Sequence, residues 1–398
     1  MNKKLVALAV ASALASPLAA QAQTANVTLY GRLNVDLEFV SGKQPDGSNP
    51  TVNRVSSNSS RFGLRGVENI GGGLSAIFQI EQNVSGDTGN SSSSGIASRE
   101  TFVGLQGGWG TFQMGKFLTP YDDIHPIFGN APTLTTSVLS TAGIWANGNN
   151  NKAGNGFDAR LGNSLRYNTP NWSGFTGELQ YSTRDSSGNT TQTPNGGDNG
   201  DHASELRHAN VVSVGGFYNN GPLNVGLAYE RNNKVRCDNC NDDGFTVAAA
   251  WDFGTLFNVF AFRLGGVYEH LKYETQFNQD VKRDFWGVSG TIPLGAGRFY
   301  GFYGQANNGT GSAPDGTVIG SGVFNNPAVG DVVKGPDTKG RQWEVSYSYN
   351  LSKRTMLYAG YVKILNHAKA RYSFNINSYS VATGGDPGAA VFGMVHFF

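Results

Sequence analysis

The sequence predicts an all-β protein, a transmembrane antiparallel β-barrel of about 16 strands, and three observations predict it. Apolar and polar residues alternate with a period of two over strand-length segments, and the connections between those segments are alternately short and long. The chain also ends on Phe398, with His396, Met394 and Phe392 at every second position behind it.

The first residues read as an export signal rather than as part of the fold. Lys3 and Lys4 precede an apolar run from Leu5 to Ala15, and Ala20-Gln21-Ala22 has the small-residue form of a cleavage site. Residues 1–22 are thus expected to be a cleaved signal peptide, with residues 23–398 forming one barrel domain. The apolar run is shorter than the about 20 residues a bilayer-spanning helix needs, and no longer one follows, so the span must come from strands.

Composition narrows the function classes. Removing Lys3 and Lys4 from the 30 basic residues leaves 28 against 29 acidic ones, a formal charge of −1. Near-neutrality argues against nucleic-acid binding, which needs clustered basic surface to neutralise phosphates. Glycine contributes 55 residues, and Tyr and Phe supply 16 and 24, a mixture that suits tightly turned, aromatic-banded strands better than a disordered glycine-rich chain.

The first strand is the clearest. Val27, Leu29, Leu33, Val35, Leu37 and Phe39 alternate with Thr28, Arg32, Asn34, Asp36 and Glu38, giving one apolar and one charged face. The dyad recurs at Phe175, Leu179 and Tyr181, at Leu223, Val225, Leu227 and Tyr229, and at Trp343, Val345, Tyr347 and Tyr349. A soluble sandwich also alternates, but a charged inner face combined with unequal loops is the transmembrane-barrel signature. Short turns are expected at 68–73, 107–110, 170–174, 219–222, 294–297 and 350–354. Long polar connections are expected at 41–59, 85–98, 118–159, 185–207 and 307–340. Sixteen closed strands leave no exposed edge and enclose an aqueous channel.

Four blocks in order, VTLYGRLNVDLEF, SSRFGLRGVENIGGGLSAIFQIEQ, SRETFVGLQGGWGTFQMGK and NSLRYNTPNWSGF, together with the terminal aromatic strand, carry a family resemblance over essentially the whole mature chain. The sequence resembles the trimeric general porins of Gram-negative bacteria, in their betaproteobacterial, neisserial-like branch. The resemblance implies an integral multi-pass protein of the cell outer membrane, a pore complex for passive passage of small hydrophilic solutes and ions. It implies a homotrimer in contact with outer-membrane lipid and lipopolysaccharide, and Phe398 as the assembly signal read by the barrel-assembly machinery. No cofactor is implied.

The resemblance also implies a third external loop folded into the barrel, here about 118–159, where small residues would let it pack without an apolar shell of its own. It places a basic ladder on the wall at Arg32, Arg61, Arg99 and Arg160. Alternation agrees for Arg61, since Phe62 and Leu64 face lipid if Arg61 and Arg65 face the lumen, and Arg166 has luminal parity with Ser164 and Asn168. Opposite, Glu81, which shares inward parity with Gln79, and Asp122 and Asp123, which open the inserted loop, are the expected acids. The adjacent aspartates depart from the glutamate-bearing loop of enterobacterial porins. Closely held arginines in a narrow, partly dehydrated pore attract anions, so a modest anion preference is expected for inorganic anions and small solutes.

Cys237 and Cys240 lie in an expected external loop. With no second cysteine pair and an oxidising compartment, a local disulfide is favoured over a zinc or redox motif. The histidines at 125, 202, 208, 270, 367 and 396 lack metal-ligand spacing, and no nucleophile elbow or phosphate loop is present, so neither a metal site nor an enzyme is expected. Two rivals stay open: a substrate-selective channel, which should carry a luminal line of aromatics, and a non-conducting adhesin or structural barrel with a plugged lumen.

Overall fold

The structure is a computed structural model that describes residues 26–89, 96–129, 137–145, 156–183, 209–237, 240–254, 261–275 and 277–398. The signal peptide expected at 1–22 lies outside the described residues.

A single antiparallel sheet closes on itself, because β1 (Asn26–Lys43) pairs both with the strand that follows it and with the last strand, β16 (Asp386–Phe397). Two segments, Thr51–Ser57 and Arg61–Gly71, both pair with β1 and are the halves of one spanning strand, β2. The next strands are β3 (Leu74–Asn83), β4 (Thr101–Gly107), β5 (Gly110–Leu118), β6 (Arg160–Asn168), β7 (Phe175–Ser182) and β8 (Asn210–Asn220). They continue as β9 (Leu223–Asn233), β10 (Asn241–Asp252), β11 (Arg263–Glu274), β12 (Asp280–Leu294), β13 (Gly297–Ala306), β14 (Gly340–Asn350) and β15 (Thr355–Asn366). Among the described residues the spanning strands number sixteen, matching the about sixteen expected from the sequence. Closure satisfies every backbone edge, which a lipid-facing sheet requires.

Alternation sorts the side chains as read from the sequence. Leu29, Leu33, Leu37 and Phe39 on β1, Phe62 and Leu64 on β2, Leu227 and Tyr229 on β9, and Phe392 and Met394 on β16 are exposed on the outer face. Arg32, Asn34, Asp36 and Glu38 are buried on the inner one. An apolar outer surface of this extent is unstable in water and is stabilised by bilayer hydrocarbon.

The break in β2 has a local cause. Ser59 takes a left-handed backbone (φ 52°), and Asn58 turns inward, donating to Tyr358 Oη at 3.1 Å from its side chain. Ser60 Oγ, accepting from the Asn34 N–H at 2.9 Å, re-anchors the strand just before Arg61.

Two expectations about connections are corrected. The segment 41–59 is mostly strand, since β1 runs to Lys43 and β2 begins at Thr51, leaving a loop of only 44–50. Above the bilayer neither face must be apolar, so hydrogen-bonded ladder persists there without the hydropathy alternation that would have marked it. A further connection, 253–262 between β10 and β11, lies at the end of the barrel carrying the short turns, where no turn was anticipated.

The third external connection folds onto the inner wall. Its 3-10 turn Asp122–Ile124 leads into the one-turn helix α1 (His125–Phe128). Phe128 O accepts from Ser289 Oγ at 2.9 Å and Tyr300 Oη at 3.3 Å, while Ser140 O accepts from Gln342 Nε2 at 2.7 Å. These wall residues point inward, because Val288, Phe299 and Val345 beside them are exposed outside. The expectation that this loop needs no apolar shell is wrong: Tyr121, Ile124, Phe128, Leu139, Ile144, Trp145 and Phe157 form a core with Tyr273, Phe285 and Phe302 of the wall. Trp145 stacks on Phe285 at 6.1 Å between centroids and meets Phe128 edge-on at 5.5 Å. Burying several aromatics at roughly 25 cal/mol per Å² of apolar surface offsets the entropy of ordering the described parts of this connection.

Candidate functional site: the charged inner wall

Four arginines of the expected ladder occupy one side of the interior. Arg32 on β1 and Arg61 on β2 are direct register partners, Arg99 lies two residues before β4, and Arg160 opens β6. Arg32 is within electrostatic reach of Arg61 and Arg99, and Arg160 of Arg99. Their placement follows from parity: each sits on the polar phase of an amphipathic strand or at its luminal end, where water rather than hydrocarbon receives the charge.

Glu81 is not across the lumen from these arginines, as expected, but among them. Its carboxylate contacts Arg99 Nε at 2.5 Å and Arg61 Nε at 3.2 Å, and accepts from Tyr30 Oη at 3.1 Å. The inward parity assigned to Glu81 holds. What parity omits is that β3 is the neighbour of β2, which puts Glu81 beside Gly63, one step along the wall from Arg61. Arg99 also donates to Asn83 Oδ1 at 3.2 Å.

Arg166 has the luminal parity expected of it, yet it is a tie rather than a free rung. Its Nη2 bonds Asp123 Oδ2 at 2.6 Å and Glu178 Oε2 at 2.8 Å, its Nη1 donates to Leu118 O at 2.9 Å, and its Nε to Asn168 Oδ1 at 2.9 Å. With two carboxylates on one guanidinium, it contributes little open field. Its partner Asp123 belongs to the inserted loop, so the pair anchors the loop's start to β6 and β7.

Asp122 is held differently from its neighbour. It lies with Asp158 and His125, their ligating atoms within 4.8 Å of one another, and within reach of Arg160. Burial, with Asp158 and Asp123 close by, pushes the Asp122 carboxyl well above its usual range, and burial pushes Asp158 up to about 7. Burial also lowers His125 to about 4, keeping its imidazole neutral. Spacing along the chain does not reveal this trio: Asp158 is remote from His125 in sequence, and only the return of the loop to the wall joins them.

Alternation put Arg65, Asn34 and Glu38 on the inner face, but not the contacts they make there. Arg65 lies over the Tyr30 ring at 5.1 Å, and Tyr358 Oη donates to Asn34 Oδ1 at 2.8 Å. Glu38 meets Arg54 Nε at 2.5 Å, and Asn377 of the last external connection donates to Glu38 Oε1 at 2.8 Å. Parity alone could have flagged Tyr30, two positions before Arg32. Nothing in the sequence could place Asn377. Cys237 and Cys240 are joined in a disulfide on the connection between β9 and β10, beside Arg236, whose guanidinium bonds Asp242 Oδ2 at 2.6 Å.

Comparison with known proteins agrees with this architecture. Residues 7–369 match the model of the Gram-negative porins. Outer membrane porin protein 32 of Delftia acidovorans is 28% identical over 97% of this chain and 95% of its own length. Major outer membrane protein P.IB of Neisseria meningitidis serogroup B is 30% identical over 62% of this chain and 64% of its own. Among solved structures, the anion-selective porin from Comamonas acidovorans superposes with a TM-score of 0.69, covering 94% of this chain and 100% of its own at 24% identity.

Proposed function

The chain belongs to the Gram-negative porin family, a general diffusion porin of the outer membrane, and we propose that its pore prefers anions because of the four-arginine wall. The observation that carries this reading is the imbalance of fixed charge on that wall. Arg32, Arg61, Arg99 and Arg160 face the interior, while two carboxylates stand near them: Glu81, bonded to two of the four, and Glu100, within electrostatic reach of Arg61 and Arg160. Beside Arg160, Asp122 and Asp158 are biased towards their neutral forms, both by burial and Asp122 also by its carboxylate neighbours. A low-dielectric wall concentrates the remaining positive field in the water between wall and loop.

In this reading solutes pass down their gradients, sorted by size and charge, and an anion exchanges part of its hydration for contacts with several fixed guanidiniums, no one of which holds it alone. The inserted segment, about 118–159, sets the cross-section. Residues 1–22 would be removed on export. The assembly would be a homotrimer, with the apolar outer faces of β1 and β2 available to neighbouring subunits, lipid and lipopolysaccharide, and with Phe398 read by the assembly machinery.

Reconstitution in planar bilayers under asymmetric potassium chloride tests the proposal. Stepwise conductance with a reversal potential on the chloride side is expected. Absence of steps would sink the pore, whereas steps whose reversal potential is unmoved in the triple variant Arg61→Gln, Arg99→Gln, Arg160→Gln would sink the ladder alone.

A further inference from the structure

We propose that Asp122, His125 and Asp158 form a zinc-binding site that fastens the two ends of the inserted connection to each other beside the basic wall. Their ligating atoms already lie within 4.8 Å of one another. One neutral imidazole and two carboxylates are a nitrogen-and-oxygen donor set of the kind zinc accepts, with a fourth position left for water or a luminal anion.

The site is built before any ion arrives. Asp122 and His125 stand three residues apart on consecutive helical turns, the spacing that brings two side chains to one face. Asp158 reaches them from the far end of the connection. The two ends are laddered just beneath, since Thr119 N–H donates to Ala159 O at 3.1 Å and Thr119 Oγ1 to Phe157 O at 3.0 Å. His125 is held by stacking on Trp145, 4.2 Å between centroids. An ion would therefore order little that is not already ordered.

The independent sign of a missing ligand is His125 Nε2, which is sealed from solvent and has no hydrogen-bond partner among the described residues. A buried polar atom without a partner is costly, and a metal bond would satisfy it. The two carboxylates point the same way. Their oxygens lie within 4.8 Å of each other, so the like charges repel and a cation between them would relieve that repulsion. Arg160 nearby weakens the site for a dication but leaves the donor geometry intact.

Binding itself does not depend on conduction, whereas its consequence rests on the pore reading: a bound dication beside Arg160 would raise chloride preference. Zinc chloride is titrated into folded full-length protein stripped with EDTA, with tryptophan fluorescence as the readout, because Trp145 stacks on a ligand. A saturable response absent with magnesium chloride is expected. The half-saturating concentration should rise by at least the roughly 10–100-fold seen even for outer partners of metal sites in His125→Gln and in Asp158→Asn, and should not move in His270→Asn. Heat-modifiable mobility checks that each variant is folded, and calorimetric titration of Trp145→Phe keeps the test open if either fails. No saturable binding, or equal binding in His125→Gln and the parent, overturns the site. Binding without any change in reversal potential overturns the consequence and leaves the site standing.

Discussion

Arg99 and Glu81 are joined twice, by the 2.5 Å contact of Nε with Oε1 and by the Arg99 backbone N–H donating to the Glu81 carbonyl at 3.1 Å. The backbone bond extends the ladder between β3 and β4 past the end of β4. The side-chain contact then fixes the guanidinium against the wall rather than letting it sweep the lumen. Such a clamp makes the arginine a stationary charge, which is what a field selecting among passing ions requires.

Glu81→Gln therefore removes charge without removing the backbone clamp. Arg61 and Arg99 keep their positions through the wall and Asn83, but lose the one carboxylate they share. A unit charge about 4 Å away is worth about 1 kcal/mol in water, so the chloride-to-potassium permeability ratio should rise several-fold, up to roughly tenfold. Reversal potentials in bilayers measure it, and an unchanged ratio would remove Glu81 from the conducting path.

The loop anchor predicts a different phenotype. Asp123→Asn removes the loop's charged contact with Arg166, while Glu178 still holds the guanidinium at 2.8 Å. The loss should be about 1.5 kcal/mol, the lower end for a hydrogen bond to a charged group because Asp123 is a third exposed. Single-channel traces should show more frequent brief closures with little change in open-state selectivity. Glu178→Gln should give less of this noise, since Glu178 lies on β7 and meets the loop only through Asp123.

Acidity should act through Asp158. Its folded carboxyl is pushed up to about 7 from 3.8, so between those values the folded state holds a proton that the unfolded chain has released. Stability from this group is thus greatest at low pH and declines as pH rises from about 4 to about 7. Over the same window acidification removes a negative charge near Arg160, so anion preference should increase as pH falls through about 7. Asp158→Asn should flatten that step, and a step of unchanged size in the variant would assign it to another group.

What was legible in the sequence was whatever a period of two can encode. The inner faces of β1 and β2, and hence Arg32, Arg61 and the inwardness of Glu81, followed from alternation because a strand with lipid on one side and water on the other has no other way to satisfy both. Strand adjacency was not encoded residue by residue, so Glu81 was assigned to the wrong side of the lumen. The inserted connection obeys no period at all. Trp145, Phe128 and Phe157 are scattered along it and become a core only after the chain returns from Asp122 to Asp158. That same return assembles the Asp122, His125 and Asp158 cluster, which spacing along the chain does not reveal.

Barrel closure gives the last prediction. Phe398 N–H donates to Gly31 O and Gly31 N–H to Phe398 O, both at 3.1 Å, so the final residue completes the ladder between the first and last strands. The Phe398 ring covers Gly31, on the outer face between Leu29 and Leu33. A Cβ at Gly31 would lie 2.6 Å from Arg61 O and closer still to the ring. Backbone cannot yield there as a flexible side chain could, since Arg61 O belongs to the neighbouring strand. Gly31→Val should therefore impair closure itself, lowering the yield of heat-modifiable, protease-resistant barrel severalfold during refolding in detergent, where no assembly machinery is present. Phe398→Ala removes the ring but keeps both backbone bonds, and should refold in detergent with a smaller loss, about 3–5 kcal/mol at most for a fully buried aromatic and less at this partly exposed site. If Phe398→Ala refolds normally yet fails to reach the outer membrane in cells, the terminal ring acts mainly as an assembly signal; if both variants refold equally well, the close approach at Gly31 has no structural weight.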